Sequence, residues 1–520
     1  MKNLIWVVLG FSMACNPTKK TATTAPESVK TAVESTMYAN TITEAELKEH
    51  LYTYASDEFE GRETGEPGQK KAVNYLKAHY ESLGIKAAQT NGNYFQNVPL
   101  EINKLPVGDI SINGTDYPMG EDFLTFSKAN GNYADVVYVG YGIEDGDYSD
   151  YKGLDVKGKL VLFKAGEPMN ADGTYAVSGT SEKSVWSNAN EAIGKRMELA
   201  AEKGAKGAFY YDSANFSRFK RRFDFMKKND SGRMGLKDTS NEEFFGFYIN
   251  SKMASTLFKD IETDHAPKVV TASLQLEIES SNEQVNSENV AAILRGSEKP
   301  EEYLIISSHL DHIGISADGQ INNGADDDGS GSVALLEIAE AFKKAADAGH
   351  GPKRSVVFLH VTGEEKGLLG SRYYTDISPI FPLKNTVANL NIDMIGRIDP
   401  KREGDRNYVY LIGSDKLSTE LHELSEEVNK KYGNIELDYT YNDENDPNRF
   451  YYRSDHYNFA KNNIPIIFYF NGTHDDYHRV TDTPDKINYD LLENRARLVF
   501  HTAWEVANRE KRLVVDKATE

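Results

Sequence analysis

Two neighbouring runs decide how this chain is read. The first is Ser307-Ser308-His309-Leu310-Asp311-His312-Ile313-Gly314. The second, a short polar link later, is Asn322-Asn323-Gly324-Ala325-Asp326-Asp327-Asp328-Gly329-Ser330-Gly331. The first follows Tyr303-Leu304-Ile305-Ile306, an apolar stretch short enough for a buried strand and bounded by turn residues. His309 and Asp311 therefore leave the carboxyl end of a strand, where α/β folds assemble their sites. The second run sets three aspartates in a glycine-flanked loop ahead of Val333 to Ala339, an amphipathic helix. Adjacent carboxylates repel unless a cation or hydrogen bonds offset the repulsion. Taken alone, the loop also reads as an aspartate-rich cap and turn at a helix start.

Working outward, the strand-then-ligand pattern recurs. Val356 to His360 is followed by Thr362-Gly363-Glu364-Glu365, Val387 to Ile392 delivers Asp393, and Ile464 to Phe470 is followed by His474 and His478. Each has a plain account on its own: a glutamate pair favoured by a helix dipole, an aspartate capping a turn, a structural histidine. Together they place His, Asp, Glu, Asp and His at successive strand ends of one sheet. Carboxylates gathered on one edge are costly without a cation, and mixed imidazole and carboxylate donors suit zinc.

Strands and helices alternate after about residue 272, which predicts an α/β fold with a mixed, largely parallel central sheet and helices on both faces. Thr43 with Glu46 three residues later forms a capping box, and Gln69 to Leu83 has helical periodicity stopped by Gly84. Residues 130–270 add further strands but no convergent His, Asp and Glu set, so they read as a separate insert between two parts of one domain, 41–129 and 271–515. The basic run from Arg218 to Arg233 is expected to be a solvated helix face.

At 520 residues the chain exceeds one ordinary core. Its net charge of -21 argues against nucleic acid or an anionic membrane as the main partner. Lys2, an apolar run from Leu4 to Phe11, and Ser12-Met13-Ala14-Cys15 outline an export signal over 1–15. Cys15 is the single cysteine, so no intrachain disulfide forms, and its position resembles the lipidated cysteine of bacterial lipoproteins. The expectation is an exported, periplasmic or cell-surface protein, lipid-anchored at Cys15, with 16–40 as a flexible tether.

Over most of residues 43–510 these motifs, in order and content, resemble the zinc-dependent exopeptidases with two co-catalytic zincs, especially bacterial aminopeptidases. The resemblance implies two Zn2+ per chain. His309 and Asp393 would complete one zinc, Glu365 and His478 the other, and Asp327 would bridge both. It further implies Asp311 orienting the His309 imidazole, Glu364 as general base for a metal-bridged water, Tyr451 as oxyanion donor, and a cis Asp327-Asp328 peptide. The insert resembles a mainly-β protease-associated domain shaping the substrate entrance. Ser454-Asp455-His456 are consecutive, a poor geometry for a serine relay, and are expected to be structural, as are His312, His360 and His474.

The implied activity is removal of N-terminal residues from peptide substrates. Within the family, carboxypeptidase or dipeptidase activity stays open. A single-zinc glutaminyl cyclase and a non-catalytic binding protein on a similar fold are the other classes. The complete set of five ligands and base argues against both.

Overall fold

The computed structural model describes residues 35–188, 191–229, 232–237 and 244–517. The expected signal 1–15 with Cys15, and residues 16–34 of the expected tether, lie outside the described residues. The remainder of the tether is folded. Thr36–Ala39 is a helical turn whose Tyr38 stacks on Trp504 and is buried. Its large apolar side chain supplies the burial that a tether lacks.

A ten-stranded sheet carries the larger unit. Its centre is four parallel strands in the order Arg354–Val361, Lys299–His309, Thr386–Ile392, Ile466–Phe470. All four are buried along most of their length, as expected where both sheet faces are covered. Successive side chains point to opposite faces. Leu304 and Ile306 thus join a core with the helices Glu44–Tyr54, Pro67–Leu83, Gly331–Asp347 and Tyr489–Asn508, whereas Tyr303 and Ile305 join Tyr374, Phe381 and Phe459 on the other face. The flanks are antiparallel: Glu283–Leu294 and Phe95–Asn103 on one side, Tyr408–Ile412 on the other. The sheet is therefore mixed: a parallel centre, antiparallel neighbours, and one further parallel pair, Tyr408–Ile412 with Glu436–Asp438, at an edge.

The local signals act as chemistry requires. Thr43 Oγ1 accepts from the Glu46 amide, capping the helix Glu44–Tyr54. Helix Pro67–Leu83 opens on proline and ends at Gly84 with φ of 70°, the left-handed stop that glycine takes without strain.

A second, eight-stranded sheet takes strands from Val107–Ile112 through Lys268–Glu279. Its extent is wider than the expected 130–270, because two long ribbons cross between the sheets. Phe95–Asn103 passes into Val107–Ile112, and Lys268–Glu279 passes into Glu283–Leu294. Helices Ala192–Glu202, Phe216–Asn229 and Ser251–Leu257 pack with this unit, and Ala129–Tyr138, Leu160–Lys164, Gly207–Tyr211 and Phe245–Ile249 run parallel through it. The unit is thus α/β in make-up rather than mainly β. One of its segments, Arg233–Leu236, returns to the edge of the larger sheet by pairing antiparallel with Phe95–Asn103.

Candidate metal centre

Because the four central strands are parallel, their carboxyl ends lie on one edge. His309 is the last residue of its strand, Asp393 follows Ile392, Glu364 and Glu365 follow Val361 by three and four residues, and the loop after Phe470 brings His478. The aspartate loop is delivered to the same edge ahead of helix Gly331–Asp347, with a cis peptide between Asp327 and Asp328.

Asp327 stands between two sets of donors. Its Oδ1 is 3.1 Å from His309 Nε2, which is itself 3.6 Å from Asp393 Oδ1. Its Oδ2 is 3.0 Å from His478 Nε2, which is 3.1 Å from Glu365 Oε2. Ligands of a tetrahedral zinc with bonds of ~2.1 Å stand about 3.4 Å apart, so both sets have the spacing of ligands around one small ion. His309 Nδ1 lies 3.0 Å from the Asp311 backbone oxygen; donating there leaves Nε2 with its lone pair toward Asp327. His309 Nε2 and Asp327 Oδ2 are buried and have no hydrogen-bond partner among the described residues. Buried polar atoms left in this way are what a metal would satisfy.

The electrostatics agree. Burial works against charge on His478, yet the Asp327 and Glu365 carboxylates outweigh it and hold its pKa up at about 10. Burial likewise opposes protonation of His309, and Asp393 and Asp327 push it well above the ordinary histidine value. A carboxylate field strong enough to charge the buried His309 and the more exposed His478 is a field that holds a cation.

Glu364 belongs to neither set. Its amide donates to Asp311 Oδ1 at 3.2 Å, while its carboxylate makes no protein hydrogen bond among the described residues. Burial, reinforced by Glu365, Asp393 and Asp455, raises its pKa well above the usual carboxylate range. A high-pKa carboxylate left free beside a donor cluster is able to take and return a proton.

Several placements differ from the sequence reading. The Asp311 carboxylate is 3.9 Å from His309 Nδ1 and instead accepts from Thr64 Oγ1 at 2.7 Å and from the Glu364 amide. Its backbone oxygen orients the imidazole, because the chain turns sharply after the strand end. Tyr451 packs among Tyr452, His456 and Tyr457, and no hydrogen bond links its hydroxyl to the five donors. The tyrosine that meets them is Tyr477, stacked on His478 at 4.0 Å. His312, expected to be structural, is fully buried with Nδ1 2.9 Å from Glu365 Oε1 and 3.8 Å from Asp327 Oδ2. Its neighbourhood to Asp311 in a His-x-Asp-His run was the available signal. His474 reaches Asp326 at 3.2 Å, outside both donor sets, and His360 hydrogen-bonds Tyr80 and Ser308.

The remaining acidic residues build the frame. Asp328 groups closely with His309 and Asp393, but both its oxygens are taken: Oδ1 by the amides of Gly331 and Met394, Oδ2 by that of His309. Asp482 Oδ2 accepts from the amides of Asp326 and Asp327, pinning the aspartate loop. Arg62, 1% exposed, donates to the backbone oxygens of Tyr54, Asn323 and Gly324 and fixes the loop from behind. Ser454 Oγ donates to Asp393 Oδ2 at 2.6 Å and accepts from Asn391. Asp455 turns instead to Ser371, and His456 Nε2 to the Tyr451 backbone oxygen, so these three residues form no relay.

Residues 289–503 match Peptidase family M28. The Aspergillus oryzae protein named probable leucine aminopeptidase 2 is 25% identical over 432 residues, covering 82% of this chain and 71% of that one. The Caenorhabditis elegans glutamate carboxypeptidase 2 homolog is 23% identical over 313 residues, 53% of this chain and 39% of its own. The chain thus spans well under two thirds of that second relative. The solved aminopeptidase from Aneurinibacillus sp. strain AM-1 is 20% identical, covering 93% of this chain and 98% of its own with a TM-score of 0.45. The segment that matches peptidase family M28 carries every donor described above and the free glutamate beside them.

Proposed function

We propose that the chain is an exported di-zinc exopeptidase, an aminopeptidase that removes N-terminal residues from peptides. The observation that carries this reading is Asp327, one oxygen facing His309 and Asp393 and the other facing His478 and Glu365, with Glu364 free beside them. In this reading His309 and Asp393 hold one zinc, Glu365 and His478 a second, and Asp327 contributes to both. Bound zinc would acidify water and polarise the scissile carbonyl. Glu364 takes the proton from the attacking water and returns it to the departing amine. Ser454 holds the Asp393 carboxylate in register, and Asp311 holds both the His309 ring, through its backbone oxygen, and the Glu364 amide. His312 keeps the second Glu365 oxygen directed, and Tyr477 backs the His478 ring. Tyr451 is retained as the candidate oxyanion donor, supported by the family resemblance alone. The second unit is assigned the part of a protease-associated domain beside the substrate path, and Cys15 that of a lipid anchor.

A carboxypeptidase is the second reading, favoured by the relatives named glutamate carboxypeptidases. The test is hydrolysis of aminoacyl-anilides, N-blocked peptides and C-terminally blocked peptides, with zinc counted per chain. Cleavage that requires a free amine, with two zincs, supports the aminopeptidase. Cleavage of N-blocked peptides alone replaces it with the carboxypeptidase. Absence of hydrolysis with fewer than two zincs returns the chain to the cyclase or binding-protein classes.

A further inference from the structure

The helix Phe216–Asn229 of the second unit has an outer face with no role in the site above. Its sequence, F-S-R-F-K-R-R-F-D-F-M-K-K-N, holds six basic side chains and one acidic, inside a chain whose net charge is -21. Phe216 and Phe223 are buried against the second unit and anchor the helix there. The opposite stripe carries Arg221, Phe225 and Lys228, spaced four and three residues apart and therefore on one face, with Arg222 three residues before Phe225 beside them. Lys220 is committed to Glu121 and Asp224, but Arg221, Arg222, Lys227 and Lys228 make no ion pair among the described residues.

Phe225 is 68% exposed in the middle of those charges, and Met226 39%. Phe126, 62% exposed, joins them from the neighbouring loop by edge contact with Phe223, and Val107 is 59% exposed. These residues line one groove of 970 Å3 with Met119. Bulky apolar side chains left in water between unpaired cations are the pattern of a surface that inserts rings at the headgroup level while its charges meet anionic headgroups. An acidic protein would use the cations but offers no reason for the exposed rings.

We propose that this face is an interfacial docking site for an anionic phospholipid surface. It is independent of the peptidase reading and of any acyl chain at Cys15. Docking through the second unit would set the orientation of the whole molecule on the membrane, which a tether alone does not do.

The experiment uses the full chain carrying Cys15→Ser, so that no lipid is attached, sedimented with phosphatidylcholine vesicles with or without phosphatidylglycerol. Binding is expected to the anionic vesicles only, and to weaken as salt shortens the screening length. Each basic residue near such a surface contributes about 1 kcal/mol, so Arg221→Gln with Arg222→Gln should weaken binding by about 30-fold. Phe225→Ser should weaken it too, at unchanged ionic strength dependence, since it removes no charge. Circular dichroism and the thermal midpoint of each variant check that the fold persists. Binding that is equal on neutral vesicles, or that survives the double arginine change, overturns the proposal. Retention on polyglutamate without vesicle binding also overturns it, in favour of an acidic polypeptide partner.

Discussion

Replacing Glu364 by Gln tests the assignment of the base most directly. The carboxylate makes no protein hydrogen bond among the described residues and lies outside both donor sets, so the amide loses no partner there and should leave the metal ligands in place. Gln matches the volume but cannot accept the water's proton. General base catalysis contributes roughly 100- to 10,000-fold, so kcat should fall by that factor, about 3–5 kcal/mol of barrier. Removing a carboxylate whose pKa is driven up by burial relieves an unfavourable charge, so the thermal midpoint should hold or rise. The assay is steady-state cleavage of an aminoacyl-anilide at saturating substrate, alongside zinc content by mass spectrometry and a melting curve. Asp327→Asn is the contrast: it converts the shared carboxylate to a group with one acceptor, and should lose zinc as well as rate. A Glu364→Gln protein that keeps its zinc and more than about a tenth of its activity would refute the role.

Three further outcomes follow from the frame around the donors. Ser454→Ala removes a 2.6 Å bond to Asp393 and should weaken zinc binding by about 10- to 100-fold, read by competition with a chromogenic chelator. Arg62→Met abandons three backbone oxygens to burial and should cost about 3–5 kcal/mol in urea unfolding. His360 and His456 are buried and neutral, with burial lowering each pKa from 6.5 to about 3. Their contribution is whole above the unfolded value of about 6.5 and is lost as pH falls toward 3, because the unfolded chain binds the proton first. His360→Gln should therefore flatten the acid side of a stability–pH curve measured by calorimetry between pH 8 and about 4.

The central strands and the residues at their ends were legible because buried parallel strands are short apolar runs, and each run was followed within eight residues by its donor. What lay hidden was set by geometry finer than a residue type. Nothing in the letters distinguishes His478 from His312: both stand near Glu365, at 3.1 and 2.9 Å, and differ in which oxygen they face. The choice between the Asp311 carboxylate and its backbone oxygen is likewise a matter of the turn after the strand. The role of Tyr477 beside His478 leaves no trace in the sequence, because stacking has no spacing signature. The limits of the second unit were misplaced for a different reason. Lys268–Glu279 alternates buried and exposed residues cleanly, but the strand on either side of Ser280 looks alike although it serves two different sheets.

That crossing has a bearing on how the chain assembles. Phe95–Asn103 has its partners in Glu283–Leu294 and Arg233–Leu236, and Glu283–Leu294 is the link to Arg354–Val361. As the polypeptide emerges from its N-terminus, an early strand waits more than a hundred residues for a neighbour. The second sheet lies wholly between Asn103 and Glu283, where the longer partner strand begins, and is free to form while that pairing waits. Closing such distant pairs is slow, and the unpaired edge is exposed meanwhile. The smaller unit is thus placed to act as a clamp during synthesis: by zipping Val107–Ile112 to Lys268–Glu279, it brings Phe95–Asn103 and Glu283–Leu294 together before the metal-bearing strands arrive.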